Sequence, residues 1–599
     1  MEKEQIKMRL QRLREEMSAC GIGIYIIPMN DFHGSEYIGD YFKLVAYVSG
    51  FTGSAGTLVV TQEEAYLWTD GRYFLQVEKQ LEMTGIKLQK MGEIGVLTIA
   101  EFIKTYMEQE MQKEKAVGFD GRLVSAGFAE KLRGLKIVSD QDLAGKLWDE
   151  DTQHPRPAFP KAPVWRLEDI YAGESTEEKL RGIREDMKKK KADYLLLTTL
   201  DDIAWLTNLR GGDIAYNPVF LSYMIVTERE ALLFCHIEDS DIKEYLSACD
   251  IKLQDYDEFY NRIGEIPPES RVWIDPASIS LRVTELIPDG CEKIEEANPL
   301  IRRKAIKNKT EIQNIRLAHI KDAVAVTKFI YWLKTRVRSG KEKVTETEAA
   351  EKLVQLRRQQ EDYLGESFAP IIAHGKHGAI VHYNAQDGDN AWIEAESFLL
   401  CDIGAHFLQG TTDITRTIAM GSLSKEQKKH YTAVLQGNLR LANVRFKHGI
   451  TGANLDYVAR EPLYRLGLDF NHGTGHGVGY LLNVHEGPNA FRMRYFEDGV
   501  FEEGMVTSNE PGFYPKGQYG IRLENLIVCR EAEKTPYGQF LCFEPLTMVP
   551  FDKEAIDEKM LTQEDKHLLN AYHRQVYEAI ADQLTEEERA WLLEATSAL

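Results

Sequence analysis

The stretch Leu399–Met420, LLCDIGAHFLQGTTDITRTIAM, places two aspartates, Asp402 and Asp413, in a run that otherwise reads as a buried hairpin. The flanks FLLCDIG and DITRTIAM have strand character, and AHFLQGTT supplies the connection. Paired strands bring the two carboxylates close, and bare anions repel strongly in a poorly solvated interior. A positive group is expected between them.

Three downstream segments share this character. HGTGHGVGY sets His472 and His476 among four glycines, which let backbone approach a ligand closely and take positive φ where needed. SNEPGFY holds Glu510 before a Pro-Gly turn, and GIRLENLIV puts Glu524 at the head of an otherwise apolar strand. Asp402, Asp413, His476, Glu510 and Glu524 together offer four carboxylates and one imidazole. Four negative charges neutralise two divalent cations, and an oxygen-rich donor set suits Mn²⁺ or Co²⁺ better than a thiolate-type zinc site.

At 599 residues the chain exceeds what one core usually organises, so several domains are expected. Its 43% hydrophobic and 28% charged composition is that of a soluble globular protein. A net charge of −21 repels phosphate backbones and anionic membranes, which argues against nucleic acid as a partner. The start reads as a charged amphipathic helix without a signal-peptide core, and no later run reaches the roughly 18 apolar residues of a membrane span. Seven scattered cysteines, an odd count without a CxxC pair, fit a reducing cytoplasm.

HPRPAFPKAPVW, with Pro155, Pro157, Pro160 and Pro163, reads as an extended linker. The segments on either side of it repeat one order: helix end, apolar strand, polar loop, second strand. Two similar α/β domains, over residues 1–155 and 164–301, are therefore expected. Beyond residue 302 long helices precede short His-, Gly- and acid-rich strands. Thr310 is the expected N-cap of the first long helix. From 552 to 599 the pattern is helical, with capping boxes at Thr562–Asp565 and Thr585–Glu588 and an apolar face of Leu568, Leu569, Tyr572, Val576 and Tyr577. This tail reads as a packing appendage.

The order DIGAHFLQGTTDITRT, GTGHGVG, NEPGFY and IRLEN resembles the pita-bread metallopeptidase family, which includes methionine aminopeptidase, prolidase and aminopeptidase P. APIIAHGKHGAIVHYN, NVHEGP and WTDGRYFLQ, with the two preceding α/β domains, are similar to the three-domain aminopeptidase P branch. The resemblance implies two creatinase-like N-terminal α/β domains, a pita-bread catalytic domain over 302–551 and a helical extension. It implies that Asp402 binds one metal, His476 and Glu510 the other, and that Asp413 and Glu524 serve both. His382, His472 and His485 match non-ligand histidines that position substrate or shuttle protons. Tyr514 and Arg522 match positions beside a proline pocket, and Arg72 matches a residue reaching a substrate end. His406, between the two aspartates, is expected to be structural.

The implied activity is removal of the N-terminal residue from peptides with proline in second position, by a hydroxide shared between two divalent ions, Mn²⁺ first and Co²⁺ or Zn²⁺ next. His382 or His485 would stabilise the oxyanion, and Glu510 would relay the proton to the leaving nitrogen. The family is commonly dimeric, so a homodimer is expected. The alternatives are a prolidase-type dipeptidase, the metal-free creatinase, which the intact ligand set disfavours, and a catalytically inactive binding module of this fold.

Overall fold

The computed structural model describes residues 2–109, 114–340, 343–385, 390–495 and 499–599. The chain forms two compact bodies, one of Met1–Arg166 with Glu174–Leu300, the other of Leu167–Gly173 with Ile301–Leu599.

The first body is built from one topology used twice. Its two six-stranded sheets each centre on a strand, Ile22–Pro28 or Tyr194–Leu197, that follows a helix, Glu2–Ala19 or Thr176–Lys190. On one side each central strand pairs antiparallel with the first strand of a hairpin, Thr57–Thr61 or Ser222–Thr227. On the other it runs parallel to Ala116–Gly118 or Arg271–Ile274. The hairpin turns coincide in chemistry as well. The hydroxyls of Thr61 and Thr227 each accept from the amides two and three residues on, so the same Thr-based turn closes both. Between the two halves, Ser125 and Ser280 meet in an antiparallel bridge, and each caps the helix that follows it. The first helix buries Ile6, Leu10, Leu13 and Met17, a 4-3-4 spacing that lines one face. Residues 155–164, rich in proline, form neither helix nor strand.

In the second body the 31-residue helix Lys309–Ser339 is capped by Asn308, not Thr310. The Asn308 side-chain oxygen accepts from the amides of Thr310 and Glu311, and Glu311 reaches back to the Asn308 amide. Thr310 lies inside the first turn. Both C-terminal capping boxes, Thr562–Asp565 and Thr585–Glu588, are formed. Leu569, Tyr572 and Val576 are buried in the main core of this body, with Leu568 and Tyr577 packed at its margin.

Two sheets frame the site. The strand Phe398–Ile403 pairs antiparallel with Ile414–Ala419 in a three-stranded sheet. The chain between them is not a simple turn, since Ala405–Phe407 and Gly410–Thr411 form a smaller hairpin in another sheet. The second framing sheet has six strands and includes Gly475–Gly477, Val506–Asn509 and Asn525–Thr535. Among the described residues no helix is long and apolar enough to cross a membrane.

Candidate metal centre

Strand register sets the acids. Asp402 pairs with Thr415, so Asp413, two residues before Thr415, is its diagonal neighbour on the same face. In the second sheet Asn509 pairs with Asn525, and the next residues outward on each strand are Glu510 and Glu524. The two sheets are tied where the Glu524 amide donates to the Thr415 carbonyl at 3.0 Å. His476 enters on the strand Gly475–Gly477. Its flanking glycines serve close packing of neighbouring backbone and not positive φ. A Cβ on Gly475 would lie 1.9 Å from the Ser508 carbonyl, and one on Gly477 2.2 Å from that of Glu486.

One ligand atom each from Asp413, His476 and Glu524 lies within 4.8 Å of the others. His476 Nδ1 lies 3.0 Å from the Gly477 carbonyl, which can only accept, so that nitrogen carries a hydrogen and, in the neutral imidazole, Nε2 is the nitrogen that can ligate a cation. Nε2 faces Asp413 Oδ2 at 3.5 Å and Glu510 Oε1 at 3.4 Å. Glu510 Oε1 also accepts from Ser508 Oγ at 3.2 Å. Glu524 is 2% exposed; its Oε2 accepts from Thr415 Oγ1 at 2.7 Å, and among the described residues its Oε1 has no hydrogen-bond partner.

Burial, followed by the fields of Asp402 and Glu510, pushes Asp413 far above the usual carboxylate range. Burial and then Asp413 do the same to Glu524, and burial lifts Glu510 to about 7. Three acids that resist ionisation, a buried Glu524 oxygen without a hydrogen-bond partner among the described residues, and the His476 imidazole form a donor set that fits divalent cations.

A second layer surrounds this cluster. Arg522 donates to Asp402 Oδ2 at 2.5 Å and to Tyr514 Oη at 2.8 Å. Tyr514 Oη lies 2.8 Å from His472 Nε2, while His472 Nδ1 faces the Gly473 carbonyl at 2.7 Å. The protons therefore run in one direction, from Arg522 to Tyr514 to His472 to the carbonyl. Burial pushes the Tyr514 phenol up to about 12. The His485 ring meets that of His476 edge to face, 4.3 Å between centroids. His382 is half-buried on a loop whose neighbouring groups, the His377 ring and the Tyr383 hydroxyl, are held by the fully buried Glu346. His406 is buried beside Thr411 Oγ1 at 3.0 Å, in a sheet separate from that of the aspartates. Arg72 lies in the first body, its guanidinium held by both oxygens of Asp70 at 2.8 Å.

Thr415, Ser508 and Glu346 carry polar contacts that sequence reasoning did not single out. Thr415 had a readable signal, since it alternates with Asp413 and Thr417 along one strand and so shares their face.

Known proteins share this architecture. The metallopeptidase family M24 profile matches residues 313–531, and that for the C-terminal region of this peptidase matches 539–599. Creatinase/prolidase N-terminal domain profiles match 9–144 and 155–311. The chain is thus an M24 metallopeptidase in fold, two creatinase-like α/β domains ahead of a pita-bread domain and a helical extension. A probable Xaa-Pro aminopeptidase P of Coprinopsis cinerea is 38% identical over 98% of both chains. Xaa-Pro aminopeptidase 1 of Dictyostelium discoideum is 38% identical over 97% of this chain and 94% of its own. The crystal structure of the X-prolyl aminopeptidase of Caenorhabditis elegans, a cytosolic enzyme with a dinuclear active site, superposes with a TM-score of 0.94 at 34% identity over the whole of both chains. The chain belongs to the Xaa-Pro aminopeptidase P family. By contrast, the Xaa-Pro dipeptidase of Bacillus anthracis, at 25% identity and a TM-score of 0.50, covers 63% of this chain and 99% of its own.

Proposed function

We propose that the protein is an aminopeptidase that releases the N-terminal residue from peptides with proline in second position, using two divalent cations held by Asp402, Asp413, His476, Glu510 and Glu524. The observation that carries this reading is the convergence of Asp413, His476 and Glu524 within 4.8 Å, where burial first and neighbouring carboxylates second oppose ionisation of the two acids. Asp402 holds one ion, His476 and Glu510 the other, and Asp413 and Glu524 serve both. The oxygen-rich set favours Mn²⁺, with Co²⁺ or Zn²⁺ as substitutes. When bound, such a pair supplies a water of lowered pKa and a Lewis acid for the scissile carbonyl.

The remaining chemistry belongs to the protein. His382 and His485 donate to the developing oxyanion, and Glu510 passes a proton to the proline nitrogen as the bond breaks. An Xaa-Pro bond has no N–H to grip, so recognition falls to a shaped slot. Tyr514, Arg522 and the His485 ring line it, with His472 orienting the Tyr514 hydroxyl.

The assignment over prolidase rests on the dipeptidase covering only 63% of this chain. Seven free cysteines and the cytosolic worm enzyme support a cytoplasmic location. A homodimer follows the expectation for the family, and Tyr457, Tyr464 and Met493, exposed and close to one another, are its candidate contact residues. The test of function is direct. Metal-reconstituted protein incubated with Ala-Pro-Ala releases alanine and Pro-Ala; turnover of Ala-Pro alone returns the dipeptidase reading, and no turnover with no bound metal returns an inactive module.

A further inference from the structure

The terminal helices Gln563–Ile580 and Glu586–Ala595 carry none of the groups assigned above. One of their side chains, Tyr572, is nevertheless linked through Arg416 to backbone carbonyls at the metal centre. The link is Arg416, three residues after Asp413, which is 2% exposed. Among the described residues its six hydrogen bonds all go to neutral oxygens. Nη1 donates to the carbonyls of Thr415 at 2.9 Å and Glu524 at 2.6 Å, and Nε to that of Pro550 at 3.2 Å. Nη2 donates to the Val549 carbonyl at 2.7 Å, Asn525 Oδ1 at 2.8 Å and Tyr572 Oη at 3.0 Å. Tyr572 stands on the first terminal helix, and its hydroxyl in turn meets the Val549 carbonyl at 2.7 Å and that of Thr547 at 3.0 Å.

Burying a guanidinium without a carboxylate at its side is costly unless every N–H is satisfied. Anchoring the terminal helix does not require it, because Leu569, Val576 and Ile580 already bury an apolar face. What the guanidinium adds is rigidity, since its planar fork fixes the oxygens on one edge relative to those on the other. One edge is the cage from Tyr572 and residues 547–550. On the other, the carbonyls of Thr415 and Glu524 belong to the two residues whose side chains meet when Thr415 Oγ1 donates to Glu524 Oε2 at 2.7 Å.

We infer that Tyr572 and Arg416 are positioning residues, through which the C-terminal extension fixes the Thr415–Glu524 crossing and so aims the Glu524 carboxylate at the cations. This rests on the reading of Glu524 as a metal ligand. The extension is then part of the metal centre's support and not a packing appendage alone.

The test titrates metal-stripped wild type, Tyr572→Phe, Arg416→Lys and Glu524→Gln with Mn²⁺ by calorimetry, alongside melting curves and activity against Mn²⁺ concentration. Tyr572→Phe keeps the ring in place. It is expected to weaken Mn²⁺ binding about tenfold, the order seen for outer-shell partners, and to shift the activity–metal curve equally, with KM at saturating Mn²⁺ unmoved. Arg416→Lys is expected to fall further; if it does not fold, Tyr572→Phe decides alone. A purely structural role lowers the melting temperature with and without metal and leaves affinity at the wild-type value, and that result for Tyr572→Phe overturns the inference. If Glu524→Gln also binds as wild type, the ligand reading falls with it; if Glu524→Gln loses binding while Tyr572→Phe does not, only the positioning role falls.

Discussion

Glu510 and Glu524 face one another at the end of one antiparallel strand pair, one step beyond the registered partners Asn509 and Asn525. Two acids in that relation, Glu524 buried and Glu510 half-buried, are held together by the sheet and driven apart by their charge, which is the condition a cation relieves. Replacing Glu524 with Gln, or Asp413 with Asn, is expected to remove metal binding and turnover together. The loss should exceed the roughly 10- to 100-fold cost of an outer-shell change. Metal content and kcat/KM of the purified variants decide; wild-type turnover by Asp413→Asn contradicts its role.

His382 belongs to a different class of residue, since it is assigned to substrate and not to metal. His382→Ala is expected to lower kcat by about 10²-fold, the scale of a lost oxyanion donor, with most of the bound metal retained. Metal analysis beside steady-state kinetics checks this, and loss of metal in step with activity would move His382 among the ligands.

The acids also give the metal-free protein a pH signature. Glu510 is raised to about 7, and burial raises Asp413 and Glu524 well above the ordinary range. A carboxyl whose folded-state pKa exceeds its unfolded value holds more protons when folded, so stability falls as pH climbs from the unfolded pKa through the folded one. For Glu510 that window runs from about 4.3 to about 7. Metal-free protein should therefore melt at progressively lower temperature across it, and Mn²⁺ should raise the melting temperature more at pH 8 than at pH 5. An equal rise at both pH values contradicts the charge account.

The homodimer proposed above would use the exposed side chains of Tyr457 and Met493, 59% and 64% exposed, as contact residues. Tyr457→Glu with Met493→Glu is expected to yield a monomer with unchanged melting of the fold. Sedimentation velocity of wild type and variant decides: a monomeric wild type overturns the homodimer, and an unaltered dimer places the interface elsewhere.

Much of this was legible because it is local. Strand alternation, the Pro-rich segment and the Thr-based capping boxes act within a few residues, so the repeated α/β order and both terminal helices could be read directly. The N-cap at Asn308 was missed because two overlapping patterns compete, Asn308 with Glu311 and Thr310 with Gln313; Asn308 wins by reaching two amides at once. The hairpin holding Asp402 and Asp413 was legible as paired strands, but not the small inner hairpin that joins them, whose partner strand Tyr363–Glu366 lies some forty residues earlier. Arg416 and Tyr572 were invisible for a stronger reason. Their meeting joins positions 156 residues apart, and nothing in either neighbourhood encodes the other.

The most direct test of the central claim is the metal stoichiometry of the chelator-stripped protein. Calorimetric titration with Mn²⁺ should show two equivalents per chain, with release of alanine from Ala-Pro-Ala appearing as the sites fill. Fewer than two equivalents in a fully active enzyme, or activity that survives complete removal of metal, would contradict it.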